Sequence, residues 1–467
     1  MIDKSLDTIA AIATAMTDSG IGIIRVSGED AISIVSNIFQ NKYGKHVLTD
    51  YKTHTIHYGF IYDETELLDE VMISIMKSPN SYTMEDTVEI NCHGGVLLMN
   101  RVLEAVLKHG ARLAEAGEFT KRAFLNGRID LSKAEAVMDL IQAKNDFALK
   151  SSVSQLHGAV SNTIRDLREK IIYEIAFIES ALDDPEHISI EGYSENLAVI
   201  VESLSERLQK LMNSFQNGKI LKEGISTVIV GKPNAGKSSL LNILVGEEKA
   251  IVTNIAGTTR DVLEETIRLH GISLNVIDTA GIRDTDDVVE KIGVDKAKNY
   301  AANADLIIYV VDSSTPLDEN DENIMKMIRD KNCIVLLNKS DLENIVTEEE
   351  LTSMLKQFTV DHYKMIRISA KDHSGIEEFE DTIKDMFFHG ELQFNDQVYI
   401  TNERHMEAIR SAYNSLQMVK RSLEDQMPED FYSIDLMSAY ASLGSILGEE
   451  VGEDLVKEIF SKFCMGK

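Results

Sequence analysis

At 467 residues the chain exceeds the size at which one hydrophobic core stops growing, so two to four domains are expected. With 47 Lys and Arg against 77 Asp and Glu, its formal net charge of −30 argues against a general polyanion binder, because phosphate backbones need clustered cations, and leaves RNA contacts local or shared. The three cysteines, Cys92, Cys333 and Cys464, are odd in number and far apart, which argues against a disulfide framework or a cysteine-pair metal site and for a reducing cytoplasm.

The first residues carry Asp3 and Asp7 without a basic stretch ahead of an apolar run, so no leader peptide is expected. Nor is a membrane span, since no apolar run approaches the roughly 20 residues needed. From Ile9 to about Glu115, short β-like runs (Gly22 to Val26, Val71 to Met76, Thr87 to Asn91) mix with a helical stretch from Val96 to His109, which predicts an α+β domain. Cys92 beside His93 is weighed as a nucleophilic pair and set aside, because adjacent residues on a strand point to opposite faces.

After Gly117 the period changes. Ile164, Leu167, Ile171, Ile175 and Ile178, and then Val201, Leu204, Leu208, Leu211 and Phe215, recur at three- and four-residue spacing and predict long amphipathic helices. Asn217-Gly218 reads as the end of that region. Ser226 to Gly390 then alternates apolar strands with helical patterns, as a parallel α/β sheet does. Helical spacing resumes at Met406, Ile409, Tyr413, Leu416, Val419 and Leu423, and a last helix is expected from Gly452 to Phe463. Helices on both sides of the α/β segment need a partner for their apolar stripes, so that segment reads as an insertion into a helical bundle.

Within it, Gly231-Lys232-Pro233-Asn234-Ala235-Gly236-Lys237-Ser238 fits G-x-x-x-x-G-K-[ST] directly after the apolar run Val228-Ile229-Val230. Glycines let backbone amides approach phosphates, a helix starting near Lys237 presents its positive end, Lys237 reaches the terminal phosphates, and Ser238 ligates magnesium. A chance Gly-rich turn is the alternative, and three further segments in GTPase order outweigh it. Asp278-Thr279-Ala280-Gly281 offers a carboxylate for the magnesium shell and a glycine amide for the γ-phosphate. Asn338-Lys339-Ser340-Asp341 places a carboxylate where guanine, and not adenine, presents two N–H donors. Ser369-Ala370-Lys371 resembles the loop that closes over the base. Ile282 stands where Ras-like GTPases carry the glutamine that orients water, so hydrolysis needs another group, and Asp284, Asp286, Asp287 and Glu290 are candidates.

Four separated segments carry a fuller resemblance: Ile21 to Gly28, Gly117 to Gly127, the GTPase motifs with Ile255-Ala256-Gly257-Thr258-Thr259-Arg260-Asp261, and the ending Phe463-Cys464-Met465-Gly466-Lys467. Over essentially its full length the chain resembles the MnmE (TrmE) family of tRNA modification GTPases, within the TrmE-Era-EngA-like (TEES) group.

The resemblance implies a multidomain α/β protein: an N-terminal α+β tetrahydrofolate-binding and dimerisation domain (1–118), a helical domain in two parts (119–217 and 391–467), and an inserted Ras-like G domain (218–390). It implies a cytoplasmic homodimer that joins the FAD-dependent MnmG (GidA) in a heterotetramer. With that partner the family places an aminomethyl or carboxymethylaminomethyl group on carbon five of the wobble uridine of tRNA, using a one-carbon unit from 5-formyl- or methylene-tetrahydrofolate. The acidic balance of the chain leaves the tRNA gripped mainly by the partner.

Matched position by position, the family's GTP- and GDP-binding residues fall on Asn234, Ala235, Gly236, Lys237, Ser238, Ser239, Thr253, Asn254, Ile255, Ala256, Gly257, Thr258, Thr259, Asp278, Thr279, Ala280, Gly281, Asn338, Lys339, Asp341, Ser369, Ala370 and Lys371. Magnesium falls to Ser238 and Thr259, and potassium to Asn234, Thr253, Ile255 and Thr258; a monovalent cation there supplies the charge an arginine finger gives elsewhere. Glu290 aligns with the glutamate that orients the attacking water, and Arg283 and Cys464 complete the catalytic candidates. A thiol near Lys462 and Lys467 is suited to nucleophilic attack, with plain packing as its alternative.

Arg25, Glu89, Arg128 and Lys467 fall at the family's folate site. The cations are candidates for the folate glutamate tail, and Glu89 for the pterin N–H donors. Arg128 replaces the expected lysine, keeping charge and changing geometry. The GTPase motifs alone would equally serve a ribosome-assembly G protein, and a folate-binding sensor would need no Cys464; the tail and the Gly117 to Gly127 block favour the first reading.

Overall fold

The computed structural model describes residues 7–44, 48–184, 186–187, 192–247, 264–269, 272–277, 300–302, 304–388, 398–449, 451–463 and 466. They divide into two compact units, one of residues up to 141 with 153–208 and 407–467, the other of 142–152 with 209–406.

The first unit opens with a seven-stranded sheet. In chain order its elements are β1 (Ile9–Ile12), β2 (Ser19–Ser27), α1 (Ala31–Ile38), β3 (Phe39–Asn41), β4 (Thr55–Asp63), β5 (Glu66–Met76), β6 (Thr87–Gly94), α2 (Val96–Lys108) and β7 (Arg112–Leu113), with strand order β3-β4-β5-β6-β2-β1-β7. Alternation decides its faces. Ile24, Val26, Ile73, Ile75, Val88 and Ile90 bury against Val35 and Ile38 of α1 and Met99, Val102 and Val106 of α2. Arg25 and Glu89, directly opposite across β2 and β6, therefore share the other face. Cys92 points into the core, where burial pushes its thiol up to about 11, while His93 is exposed and pairs with Asp69 at 2.7 Å.

Helices follow: α3 (Glu118–Leu125), α4 (Leu131–Gln142), α5 (Asp146–Leu156), α6 (Ala159–Asp183) and α7 (Tyr193–Glu223). The isoleucine stripe of α6 is buried at Ile164, Leu167, Ile171, Ile175 and Ile178. Helix α7 departs from the expected end at Asn217-Gly218 and continues to Glu223. The physical reason is a close approach: a Cβ on Gly218 would lie 2.3 Å from the Ile400 carbonyl oxygen, so glycine here makes room and does not break the helix.

The second unit centres on a six-stranded sheet. Its elements are β8 (Ile225–Val230), α8 (Lys237–Glu247), β9 (Glu264–Leu269), β10 (Ile272–Ile277), β11 (Leu306–Asp312), α9 (Glu319–Met327), β12 (Cys333–Asn338), α10 (Glu348–Gln357), β13 (Tyr363–Arg367) and α11 (Ile376–Phe388). The order is β13-β12-β11-β8-β10-β9, and every pairing is parallel except β9 with β10. Near-continuous apolar strands are buried on both faces. Ile308, Val310, Ile334 and Leu336 pack with Leu240, Leu244, Phe379 and Ile383 on one side, while Ile307, Tyr309, Val335 and Leu337 pack with Met325, Leu351 and Leu355 on the other. Cys333 sits in this core and burial raises its thiol to about 12.

Outside the sheet, the buried Asn145 amide donates to Ser273 Oγ at 3.1 Å, and Phe147 packs on the apolar cluster. The chain ends in α12 (Glu403–Glu424), α13 (Glu429–Leu447) and α14 (Glu453–Ser461). In the first unit, Gly117 and the ending come together: Gly117 has φ 66°, and a Cβ there would lie 2.7 Å from the Phe460 carbonyl oxygen. No described helix is long and apolar enough to cross a membrane.

Candidate nucleotide site

Parallel pairing puts the C-terminal ends of β8, β11, β12 and β13 on one edge, and the order reverses direction at β8, with β11 on one flank and β10 on the other. Ligands of open α/β sheets bind outside such a switch point. The loops that the sequence singles out after β8, β12 and β13 all emerge there.

The loop after β8 needs unusual backbone at three places: Gly231 at φ 154°, Asn234 at 62° and Gly236 at 103°. It ends at Lys237, the first residue of α8, so the loop lies at the positive end of that helix. Lys237 Nζ donates to the carbonyl oxygens of Gly231 and Lys232, each at 2.7 Å. Those acceptors are neutral, and burial pushes the ammonium below its ordinary value. Among the described residues its partners are these carbonyls alone, and a buried cation so placed gains most from an anion, the fit that a nucleotide phosphate provides. Ser238 lies in the first turn of the same helix, beside exposed Ser239.

Asn338 ties the three loops together. Its side chain is buried, its Nδ2 donates to Ala235 O at 2.8 Å, and its Oδ1 accepts from the Ala370 amide at 3.1 Å. Asp341 is held by Ser369, whose hydroxyl donates to Oδ1 at 3.0 Å, with Lys371 Nζ 3.8 Å from Oδ2. Lys339, at φ 63°, reaches back to Asp312 Oδ2 at 2.5 Å. Sequence reading missed Asp312. Its signal was an aspartate closing an otherwise apolar strand, a burial that requires a partner. Burial alone would raise its pKa, but Lys339 and the Ser314 hydroxyl outweigh that and hold it low.

A second cluster lies on the face of the first sheet opposite α1 and α2. Arg25 Nε donates to Glu89 Oε1 at 2.9 Å, and its Nη1 donates to Gly466 O at 3.2 Å, joining residues 441 positions apart. Its guanidinium lies 5.7 Å from the Tyr82 ring centre and that of Arg128 lies 4.8 Å from it. Arg25, Glu89 and Arg128 thus gather with the chain end. Arg25 is engaged by Glu89 and Gly466, while Arg128 is exposed. Thr253 to Thr259, Asp278 to Gly281, Arg283, Glu290, Cys464 and Lys467 lie outside the described residues.

Comparison with known proteins finds relatives along the whole chain. The family described as MnmE helical domain matches residues 131–464, and that described as GTP-binding protein TrmE N-terminus matches residues 8–128. The chain is 56% identical over 461 residues to the tRNA modification GTPase MnmE of Lachnoclostridium phytofermentans, covering 99% of each. It is 49% identical to the protein of that name from Clostridioides difficile and 48% identical to that from Acetivibrio thermocellus, again over 99% of both chains.

Proposed function

The chain belongs to the MnmE family of tRNA modification GTPases, and from that premise we propose a potassium-dependent GTPase that works with an FAD-dependent MnmG (GidA) partner on the tRNA wobble uridine. The observation that carries the nucleotide half is the convergence of the phosphate loop, Asp341 and the Ser369 to Lys371 loop on one sheet edge, joined through Asn338. Lys237 and the loop amides bind the phosphates, and Asp341 selects guanine. Ser238 and Thr259 would hold magnesium, while Asn234, Thr253, Ile255 and Thr258 would hold potassium. These cations supply positive charge against the phosphates. Glu290 orients a water for attack on the γ-phosphorus, the bond to the bridging oxygen breaks, and GDP and phosphate leave. Arg283 is the neighbouring cationic candidate.

In the folate half, Glu89 keeps Oε2 for a pterin N–H donor, and Arg128 and Lys467 meet the glutamate tail of 5-formyl- or methylene-tetrahydrofolate. Arg25 orients Glu89 and the tail that carries Cys464. The domain limits 1–118, 119–217, 218–390 and 391–467, a homodimer of this chain within a heterotetramer, a cytoplasmic setting and tRNA held mainly by the flavoprotein belong to the same reading.

Turnover of GTP in potassium against sodium at matched ionic strength tests the hydrolytic half. Potassium is expected to accelerate it on the order of tenfold or more, and Glu290→Ala to abolish that gain while GDP still binds. Equal slow rates in both salts would remove potassium from the mechanism. For the folate half, Arg128→Ala is expected to weaken 5-formyltetrahydrofolate binding by about 1.5–3 kcal/mol in calorimetry, the usual range for a charged hydrogen bond. Unaltered affinity would take Arg128 out of that site.

A further inference from the structure

Lys232 occupies a variable position of the phosphate-loop pattern, and no step above uses its side chain. Its ammonium is nevertheless largely buried, with 12% of the side chain exposed, and reaches Asp321 Oδ2 at 2.7 Å, Pro316 O at 3.1 Å and Asp318 Oδ2 at 3.3 Å. Burial opposes its charge, but Asp321 and Asp318 outweigh that and keep it protonated.

Asp321 is the more informative partner. Its residue is 1% exposed, its Oδ1 accepts from Tyr309 OH at 2.8 Å, and its Oδ2 accepts from the Asp318 amide at 2.9 Å in the capping box that starts α9. Those donors are neutral. Among the described residues Lys232 is the cation that it meets, and a buried carboxylate needs one. Both ends of the pair are therefore fixed: Asp321 by the β11 core and the first turn of α9, Lys232 by Asp321.

At its other end, residue 232 faces the phosphates. Its carbonyl oxygen accepts from Lys237 Nζ, so the peptide that Asp321 pins in place is one of the two that orient the phosphate-binding ammonium. The loop has a second tie, from Ala235 O to Asn338, and Pro233 and Asn234 are exposed between the two.

We propose that Lys232 is a positioning residue for phosphate recognition, anchoring the front of the phosphate loop to Asp321 so that Lys237 and the loop amides stay aimed at the nucleotide. The role depends on neither potassium nor folate.

The test is the dissociation rate and affinity of a fluorescently labelled GDP, with the melting midpoint of the nucleotide-free protein measured alongside. Lys232→Met is expected to weaken GDP binding about tenfold, mainly through faster release. Lys232→Arg, which keeps the charge and the reach, is expected to restore affinity to within about threefold. A methionine variant that releases GDP like the parent while melting earlier would overturn the proposal and leave Lys232 a purely structural contact. Should that variant fail to fold, Asp321→Asn carries the same test: its amide oxygen keeps the acceptor for Tyr309, while the charge and the acceptor that Lys232 and the Asp318 amide share are lost; an unchanged release rate there overturns the proposal equally.

Discussion

Asp341→Asn is expected to weaken GTP binding by about 3 kcal/mol or more, a hundredfold or greater loss, and to make a xanthine nucleotide the better ligand. Guanine offers N1–H and the 2-amino group side by side, and an ionised carboxylate accepts from both. An amide accepts from one and turns a donor towards the other, leaving two N–H groups face to face. Xanthine replaces the amino group with a carbonyl oxygen and so matches the amide. The scaffold should survive, since Ser369 can donate to an amide oxygen or accept from an amide nitrogen and the Asp372 amide still reaches Ser369 Oγ at 3.2 Å. Calorimetric titration of parent and variant with both nucleotides checks the expectation. Retained GTP affinity would mean that Asp341 does not read the base.

Why the phosphate loop could be read from sequence and other parts could not follows from the range of the interactions involved. Gly231, Gly236 and Lys237 are required by local backbone chemistry, so their spacing alone predicts a turn with positive φ feeding a helix. The β8 strand was legible because the apolar run Val228-Ile229-Val230 has few other uses. Gly218 was misread because what demands a glycine there is the carbonyl of Ile400, far along the chain, and the local dipeptide signals a turn whether or not one forms. Helix α13 went unread for a different reason: it exposes Phe431, Ile434 and Met437 as well as burying Leu436, Leu443 and Leu447, so its apolar residues do not mark one face. At the second cluster, spacing along the chain gives no sign of which side chains pair. The register of β2 against β6 is what shows that Arg25 and Glu89 pair with each other.

Gly236→Ala is expected to abolish measurable nucleotide binding while leaving the sheet folded. Gly236 has φ 103°, a conformation that costs an alanine about 1–3 kcal/mol, and its new Cβ would lie 2.0 Å from Asn338 Nδ2. Asn338 must move, and it is the group that joins Ala235 O to the Ala370 amide. Breaking those buried bonds adds about 1–3 kcal/mol for each group left unsatisfied. The losses fall on the bound state, because nucleotide binding needs all three loops in register at once. The measurement is the melting midpoint with and without saturating GDP: the parent should gain stability as RT ln(1 + [L]/Kd), and the variant should gain almost none. Asn338→Ala separates the two causes. In that background the Cβ meets no amide, so Gly236→Ala should lose only the strain energy, and the two substitutions should combine to much less than the sum of their separate effects. Strict additivity would show that the Gly236 to Asn338 approach is not what couples the phosphate loop to the base-reading loops.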